Sequence, residues 1–425
     1  MKNRFVLHLG VMAGLLISLP NFTSAVSTHQ GVDQVAAGAG HTCALLADGF
    51  VTCWGSGLVA TSYSSQVVPK IRQAVAIASG NDFACALLPD TTVECWGSND
   101  NGQLGIGDNT GPLPVMRDTK HTLSSITAIT AGDSHACALQ QIPGGPSQVY
   151  CWGSNSAGQI GNFTVGTHID FATSVVVQDG VINPALDHVI SVTAGATHTC
   201  AMRSDATSLC WGYNAFGQLG NGSTANASSP ALVTVPGNGN AMVALQMIGS
   251  TVSAGGDHGC GLVPRAAPAN DSVACWGGNF VGQLGNPANV YTGAPVTNAV
   301  PVLYAPAVEL NNVARVVAGG DFTCAELESL ASVVCWGDNS SGQLANSSAP
   351  RSDVPLTAAF HGGQRIDSLS AGTSHACVVI SSAVLCWGAN NLGQLGLGFT
   401  DLDAHSEPID VAVDAPIFTD NLEDG

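Results

Sequence analysis

The chain has 425 residues, of which 30 are acidic and 11 basic, and its formal net charge at pH 7 is −19. Binding to nucleic acid or to anionic lipid is disfavoured, because phosphate contacts require clustered Lys and Arg and the chain has no basic run. Hydrophobic residues make up 45% of the chain, enough for a large core, so intrinsic disorder is excluded.

The N-terminus has the pattern of an export signal. Lys2 and Arg4 precede a mostly apolar stretch from Phe5 to Leu19, and small residues at 23–25 offer a cleavage site. The apolar stretch is short for a transmembrane helix, and no later stretch approaches the roughly 18 apolar residues that such a helix needs. We predict a signal peptide over residues 1–25 and an exported mature chain that does not insert into a membrane.

One sequence unit recurs seven times along the chain. The triplet Cys-Trp-Gly ends each unit and uses every Trp, namely Trp54, Trp96, Trp152, Trp211, Trp276, Trp336 and Trp387. A second Cys lies upstream of each triplet, so all 14 cysteines fall into seven pairs. The spacing between successive Trp residues, 42 to 65, is typical of one propeller blade with loops of variable length.

The segment between two paired cysteines predicts a β-hairpin. In the first unit, Leu46 would lie opposite Phe50, with a three-residue turn at 47–49 that ends in Gly49. Directly opposed residues of antiparallel strands lie close enough for a disulfide, whereas zinc sites usually use closely spaced pairs such as C-x-x-C. We predict no metal or cofactor and seven disulfides within single units: Cys43–Cys53, Cys85–Cys95, Cys137–Cys151, Cys200–Cys210, Cys260–Cys275, Cys324–Cys335 and Cys377–Cys386.

Each Trp follows a Cys directly, so the two side chains lie on opposite faces of the strand. One face then carries the disulfide, and the other carries a ring that can pack against the adjoining blade. Because the placement is the same in every unit, we interpret the seven Trp residues as structural core.

A short strand rich in Pro and Val recurs between the hairpins, as in residues 113–115 and 354–356, and its last copy is residues 408–411. Pro inside a strand suits an outer edge. The first hairpin has no such strand before it, so the last copy would complete the first blade. The fold class predicted is all-β, a seven-bladed β-propeller over residues 26–415 closed by pairing of its N- and C-terminal strands, with an acidic tail at 416–425.

Two further patterns carry a family resemblance. A loop W-G-x-N-x-x-G-Q-L-G follows the hairpins, as at Trp96–Gly105 and Trp211–Gly220, and A-G-x-x-H-x-C precedes them, as at Ala194–Cys200. These patterns resemble the repeats of the regulator of chromosome condensation family, and the cysteine pairs look like a secreted bacterial branch of it. The resemblance implies a seven-bladed propeller. The first unit departs from it, because Trp54 is followed by Gly-Ser-Gly without the N-x-x-G-Q-L-G loop.

Reactive residues are not evident. Five units place a His before the hairpin, but two units have Phe83 and Phe322 there, which indicates packing rather than ligation. The recurrent Asn and Gln of the loops are interpreted as side chains that fix the loop. A carboxylate pair assembled across blades would be invisible in the sequence, so catalysis stays open.

Residues that break the repeat are the candidates for partner binding. They are aromatic and lie on loops of the fourth and fifth units: Tyr213, Phe216, Phe280 and Tyr291, with Phe163, Phe171 and Tyr304 on neighbouring loops. Packing within their own loops is the alternative. We predict a monomeric exported scaffold that binds a protein or a glycan. The alternatives are a hydrolase or lyase with a site at the central channel and, by resemblance, a guanine-nucleotide exchange factor.

Overall fold

The computed structural model describes residues 31–58, 62–68, 71, 73–107, 113–177, 184–236, 242–247, 252–264, 271–290, 294–328, 332–359 and 365–413. The predicted signal peptide at 1–25, the acidic tail at 416–425 and Tyr291 lie outside these residues. Among them, seven four-stranded antiparallel sheets follow one another along the chain. The fold is an all-β propeller of seven blades, as predicted.

The strands of each blade are consecutive in sequence, and blades are numbered here in chain order. Blade 1 contains β1 (Val32–Ala37), β2 (His41–Leu46), β3 (Val51–Gly55) and β4 (Ser62–Val67). Blade 2 contains β5 (Ala76–Ser79), β6 (Phe83–Leu87), β7 (Val93–Gly97) and β8 (Leu113–Pro114). Blade 3 contains β9 (Ile126–Ala131), β10 (His135–Gln141), β11 (Ser147–Ser154) and β12 (His168–Ser174).

Two small two-stranded ribbons lie between the later blades. Blade 4 contains β13 (Val189–Ala194), β14 (His198–Arg203), β15 (Ser208–Gly212) and β16 (Ala227–Leu232), and the ribbon β17 (Thr234–Pro236) with β18 (Met242–Ala244) follows it. Blade 5 contains β19 (Val252–Ala254), β20 (His258–Val263), β21 (Ser272–Gly277) and β22 (Val296–Pro301), with a 3₁₀ turn at Pro287–Asn289.

The ribbon β23 (Leu303–Ala305) with β24 (Val308–Glu309) precedes blade 6. Blades 6 and 7 contain β25 (Val313–Ala318), β26 (Phe322–Leu327), β27 (Ser332–Asp338) and β28 (Arg351–Thr357); β29 (Ile366–Ala371), β30 (His375–Ile380), β31 (Ala383–Gly388) and β32 (His405–Val411).

The second and third strands of each blade form the predicted hairpin. In blade 1, the Leu46 N–H donates to the Phe50 carbonyl, and Gly49 adopts φ +83°, a conformation that glycine tolerates without strain. The paired cysteines face each other directly, with Cα atoms 4.0 to 4.1 Å apart, and all seven predicted disulfides are present within the described blades. Seven disulfides indicate that the chain folds in an oxidising compartment.

The core lies between blades. Each Trp is buried and belongs to the same hydrophobic cluster as the disulfide of the preceding blade. Trp152, for example, packs with Cys85 and Cys95, and Trp54 of blade 1 packs with Cys377 and Cys386 of blade 7. The alternation of Cys and Trp along one strand therefore gives each blade one face for each neighbour.

The predicted mode of ring closure is wrong. The last strand, β32, pairs with β31 inside blade 7, and blade 1 is completed by its own β4. The Pro- and Val-rich strands are outer edges, but each belongs to the hairpin that precedes it. The prediction overlooked the innermost strand of the blade. In blade 1 this strand is β1, which pairs with β2, while β4 forms the outer edge. Blade 1 therefore has its four strands without a C-terminal strand.

Side chains and single hydrogen bonds close the ring where blade 7 meets blade 1. The backbone N–H groups of Val35 and Ala37 donate to the Ser368 and Ser370 hydroxyls at 3.3 and 2.9 Å. The indole N–H of Trp54 donates to the Gln394 carbonyl at 2.9 Å. Comparable hydroxyl contacts join blades 3 and 4 through Thr130. The closing junction is thus an ordinary junction between blades.

Candidate functional site

The propeller has two faces of different construction. One face carries the connections between first and second strands, such as 38–40, and those between third and fourth strands, such as 98–107. We call it the loop face. The opposite face, the turn face, carries the hairpin turns such as 47–49 and the connections between blades. The aromatic candidates Tyr213, Phe216 and Phe280 all lie on the loop face.

The innermost strands surround a central channel. Towards the turn face the channel widens to a cavity of about 810 Å³, lined by residues such as Gln34, Thr193, Arg315 and Ser368. Towards the loop face it narrows to about 130 Å³ within a ring of backbone from the A-G segments, with Asp133 at its edge. The narrow end has room for a few water molecules only.

The recurrent Asn and Gln side chains fix the loops between third and fourth strands. The Asn214 carboxamide oxygen accepts from the Leu219 N–H at 2.9 Å, and the Gln218 side-chain oxygen accepts from the Phe216 N–H at 3.0 Å. The same Asn bond occurs in blades 2 to 7 wherever the motif is present. These polar side chains hold the loop backbone, as expected from the sequence.

The Gln backbone carbonyl at the end of each loop joins two blades. The Gln159 carbonyl accepts from the Trp211 indole N–H and from the Thr199 hydroxyl, both at 2.9 Å. Because Thr199 uses its only hydrogen there, its oxygen accepts from Nε2 of His135 at 2.9 Å. His258 with Thr323, and His375 with Thr42, repeat the arrangement.

The conserved position of the His residues in the repeat thus has a packing role. Burial lowers the pKa of His135 to about 3, with a smaller effect from His198, and burial lowers the pKa of His198 to about 4. Neutral, buried rings cannot exchange protons with a substrate near neutral pH. In blades 2 and 6 a phenyl ring fills the same space, and the residue of the next blade that faces it is Ala136 or Ala376 instead of Thr.

Three of the aromatic residues that break the repeat form one patch on the loop face, whereas Tyr304 lies in β23 on the turn face. The rings of Tyr213 and Phe216 have centroids 6.1 Å apart, and those of Phe216 and Phe280 are 5.0 Å apart and nearly perpendicular. Phe280 belongs to blade 5, so the patch spans a junction between blades. Phe280 is 39% exposed, and the other two residues are partly buried. We call these three residues the aromatic patch.

Asp257 adjoins the aromatic patch. Its Oδ1 accepts a hydrogen bond at 3.1 Å from the Gln218 side chain, the same side chain that holds the backbone of Phe216. A Cβ atom placed on Gly278 would lie 3.1 Å from Cε2 of Phe280 and 3.5 Å from Cβ of Asp257. The Phe280 ring and Asp257 thus border the space that a side chain at position 278 would fill.

Several carboxylates surround the loop-face mouth of the channel, and burial together with neighbouring charges raises the pKa of three of them. Burial, with the charges of Asp321 and Asp133, raises the pKa of Asp257 to about 6. The pKa of Asp321 is raised by desolvation and by Asp338, and that of Asp133 by desolvation and by Asp82. Asp133 and Asp321 reach solvent, yet the surrounding loops displace enough water to disfavour their charge. None of these aspartates was selected from the sequence.

Three of the aspartates at this mouth were missed because the residue before each His or Phe of the repeat varies. That position holds Asp82, Asp257 and Asp321 in blades 2, 5 and 6, and Gly, Ser or Thr in the other blades. The cluster of aspartates can be recognised only once the closed ring brings these positions together at the loop-face mouth of the channel.

Two further properties follow from the described residues. No group of three or more His, Cys, Asp or Glu side chains among them is arranged to hold a metal ion. Within the same ranges, no helix has the length and apolar character needed to cross a membrane.

Sequence comparison places these features among known repeats. Two models described as regulator of chromosome condensation (RCC1) repeats match the chain, one at residues 32–58, 74–103 and 189–218 and the other at 93–139 and 209–262. The ultraviolet-B receptor UVR8 of Arabidopsis thaliana is 29% identical over 67% of this chain and 57% of the receptor. The E3 ubiquitin-protein ligase HERC2 of Homo sapiens is 26% identical over 71% of this chain. The match spans little more than half of the receptor and 6% of the ligase.

Solved structures show the same fold. Prp20p of Saccharomyces cerevisiae superposes with a TM-score of 0.66 at 17% identity, covering 90% of this chain and 86% of that one. Human WBSCR16 gives a TM-score of 0.58 at 19% identity, covering 90% of this chain and 83% of that one.

Proposed function

The chain belongs to the regulator of chromosome condensation repeat family, and from this premise we propose that it is an exported, monomeric, non-catalytic scaffold that binds a protein through its loop face. The observation that carries the proposal is the aromatic patch. Aromatic side chains at a junction between rigid elements are typical of binding hot spots. A partner protein is favoured over a glycan because the patch is flanked by charge.

The aromatic patch is not required by the fold. Where blade 4 has Phe216, the corresponding loop residues of blades 2, 3 and 6 are Asn101, Ala157 and Ser341. Where blade 5 has Phe280, blades 2 and 3 have Asp100 and Ser156. The loops keep the same Asn and Gln hydrogen bonds in every case, so the aromatic rings add a surface rather than stability.

Export is supported by the seven disulfides together with the N-terminal sequence pattern. In this proposal residues 1–25 are removed, residues 26–415 form the propeller and residues 416–425 are a tail. Protein binding is also in keeping with the family, since Prp20p is described by its binding to Gsp1p and histones.

Partner capture with matched variants tests the proposal. The oxidised protein, immobilised at its C-terminus, is exposed to the proteins of its own extracellular medium, and bound proteins are identified by mass spectrometry. A double variant, F216A with F280A, should lose the specific partner, whereas Y304A, which removes an exposed ring from the turn face, should retain it. Loss with Y304A alone would refute the assignment to the loop face.

A second candidate function is favoured by one observation, the carboxylates with raised pKa around the loop-face mouth. Such groups suit a hydrolase or lyase, in which a protonated and an ionised carboxyl act together. If this candidate is right, an activity found by screening polysaccharide substrates should fall at least about a hundredfold in both D257N and D321N. An activity that both variants keep would remove this candidate.

A further inference from the structure

The aromatic patch lies in a strongly acidic surface. Ten aspartates among the described residues of the loop face lie on its loops or strand ends: Asp82, Asp100, Asp133, Asp170, Asp257, Asp321, Asp338, Asp353, Asp401 and Asp403. The described basic residues are distributed differently. Arg351 begins β28 on the loop face, and the turn face carries Arg117, Lys120, Arg203, Arg315 and Arg365. The loop face therefore attracts cations over a distance of about one Debye length, roughly 10 Å at 0.1 M salt.

The geometry beside the patch suits a cationic side chain. Oδ1 of Asp257 accepts from Gln218, and Oδ2 has no hydrogen-bond partner among the described residues. Cβ of Asp257 and Cε2 of Phe280 both border the space beside Gly278, at 3.5 and 3.1 Å from a Cβ placed there. A cation placed there would contact a ring face or edge and a carboxylate together. Desolvation and neighbouring aspartates disfavour the charge of Asp257 in the free protein, and a bound cation would relieve that cost.

We propose that the loop face binds a basic segment of its partner protein, with an arginine side chain held between the Phe280 ring and the Asp257 carboxylate. Arginine fits better than lysine, because its planar guanidinium stacks on an aromatic ring and donates to a carboxylate at the same time. This inference rests on the proposed function and specifies the chemistry of the partner.

The test uses a defined probe. A fluorescein-labelled tetra-arginine peptide is titrated with the oxidised protein at near-physiological salt, and binding is followed by fluorescence anisotropy, with tetra-lysine and tetra-glutamate peptides for comparison. We expect tetra-arginine to bind most tightly and tetra-glutamate not to bind. F280A and D257N should each raise the Kd for tetra-arginine by about fivefold or more, and F280W should leave it unchanged or lower it.

Two controls separate a site from general attraction to an acidic protein. D410N removes one exposed negative charge from the turn face, and Y304A removes one exposed ring there. Both variants should keep the Kd within about twofold. Equal losses in D257N and D410N would show that net charge alone attracts the peptide, and would overturn the inference. So would a peptide affinity that F280A leaves unchanged.

The outcomes also separate this inference from the proposed function. If the partner captured from the medium depends on Phe216 and Phe280 while tetra-arginine neither binds at the patch nor competes with that partner, the scaffold proposal stands and the basic-segment inference fails. If neither the partner nor the peptide depends on the patch, both fail.

Discussion

At the scale of single residues, the junctions between blades are built from a few shared hydrogen bonds. The Thr199 hydroxyl both donates to the Gln159 carbonyl and accepts from His135. Removing this hydroxyl leaves the buried Nε2–H of His135 without an acceptor and takes one hydrogen-bond donor away from the buried Gln159 carbonyl. The cost of such a loss is usually larger than the net gain from making the bond.

We therefore expect T199V to lower the free energy of unfolding by about 1–3 kcal/mol, measured by guanidinium denaturation of the oxidised protein. The matched control is T52V, because the buried Thr52 hydroxyl has no partner among the described residues. That substitution should be neutral or slightly stabilising. Equal losses in both variants would show that the hydrogen-bonded network is not what Thr199 contributes.

In contrast to Thr199, Asp257 lowers the stability of the folded protein, and its effect depends on pH. Its pKa of about 6 in the folded protein is above the usual value near 3.8, so the folded state binds the proton more tightly than the unfolded state does. Stability should fall as pH rises from about 4 to 6 and level off above that range. Asp133 and Asp321 face the same mouth, and their raised pKa values give the same sign.

D257N should therefore be more stable than the parent at pH 7, by about 1–2 kcal/mol once partial solvent screening is allowed for, and equal to it near pH 4. Thermal or guanidinium unfolding at both pH values measures the difference. A variant that is less stable at pH 7 would contradict the assigned cost. A stabilising substitution at this loop position would support a binding role for the native aspartate.

At the scale of elements, the disulfide is the unit that holds each hairpin. The bridged segments are short, with sequence separations from 9 for Cys377–Cys386 to 15 for Cys260–Cys275. Loop-closure entropy grows slowly with length, so each bridge should stabilise the fold to a similar extent.

Replacing both cysteines of either pair by Ala should lower the free energy of unfolding by about 3 kcal/mol, with the two pairs differing by about 0.5 kcal/mol. Chemical denaturation of the two double variants tests this. A difference of several kcal/mol between the pairs would show that one blade depends on its disulfide for reasons other than loop closure.

The junction between blades 1 and 2 is the weakest seam. Blade 1 lacks the N-x-x-G-Q-L-G loop, and Nε1 of Trp96 has no acceptor among the described residues, although the other six indoles bond to a Gln carbonyl. The position that holds Thr at three other junctions is occupied by Ala84 in blade 2. An unpaired buried N–H costs stability locally.

The Trp96 indole proton should accordingly exchange with solvent faster than that of Trp152, which donates to Gln103 at 2.9 Å. Hydrogen exchange of the indole protons followed by NMR would show the order. If Trp96 is protected as strongly as Trp152, this seam is as firm as the others.

Much of the element scale could be predicted from the sequence, and the reasons are local. A disulfide partner is set by hairpin register, and Cys43 opposite Cys53 follows from a single turn. The closure could not be derived in the same way, because the assignment of an outer strand to the hairpin before or after it depends on contacts across a loop. Tyr213, Phe216 and Phe280 were identifiable as breaks in the repeat, but the contacts between their rings depend on the arrangement of two blades.

At the scale of the whole molecule, the repeat separates stability from recognition. The Trp residues, disulfides and loop amides recur around the ring and hold neighbouring blades together. The aromatic patch and the aspartates at the loop-face mouth of the channel occur in only some blades, and all lie on the loop face. A rigid ring of this kind can present such residues without a change of backbone, which keeps the entropic cost of binding low.

The location of the bound partner on the ring tests the central claim most directly. Hydrogen exchange with mass spectrometry is compared for the free protein and for its complex with the partner captured from the medium. We predict slower exchange at residues 213–220 and 278–285 and no change at the hairpin turns 47–49 and 204–206. Protection confined to the turn face, with the two loops unchanged, would contradict the account.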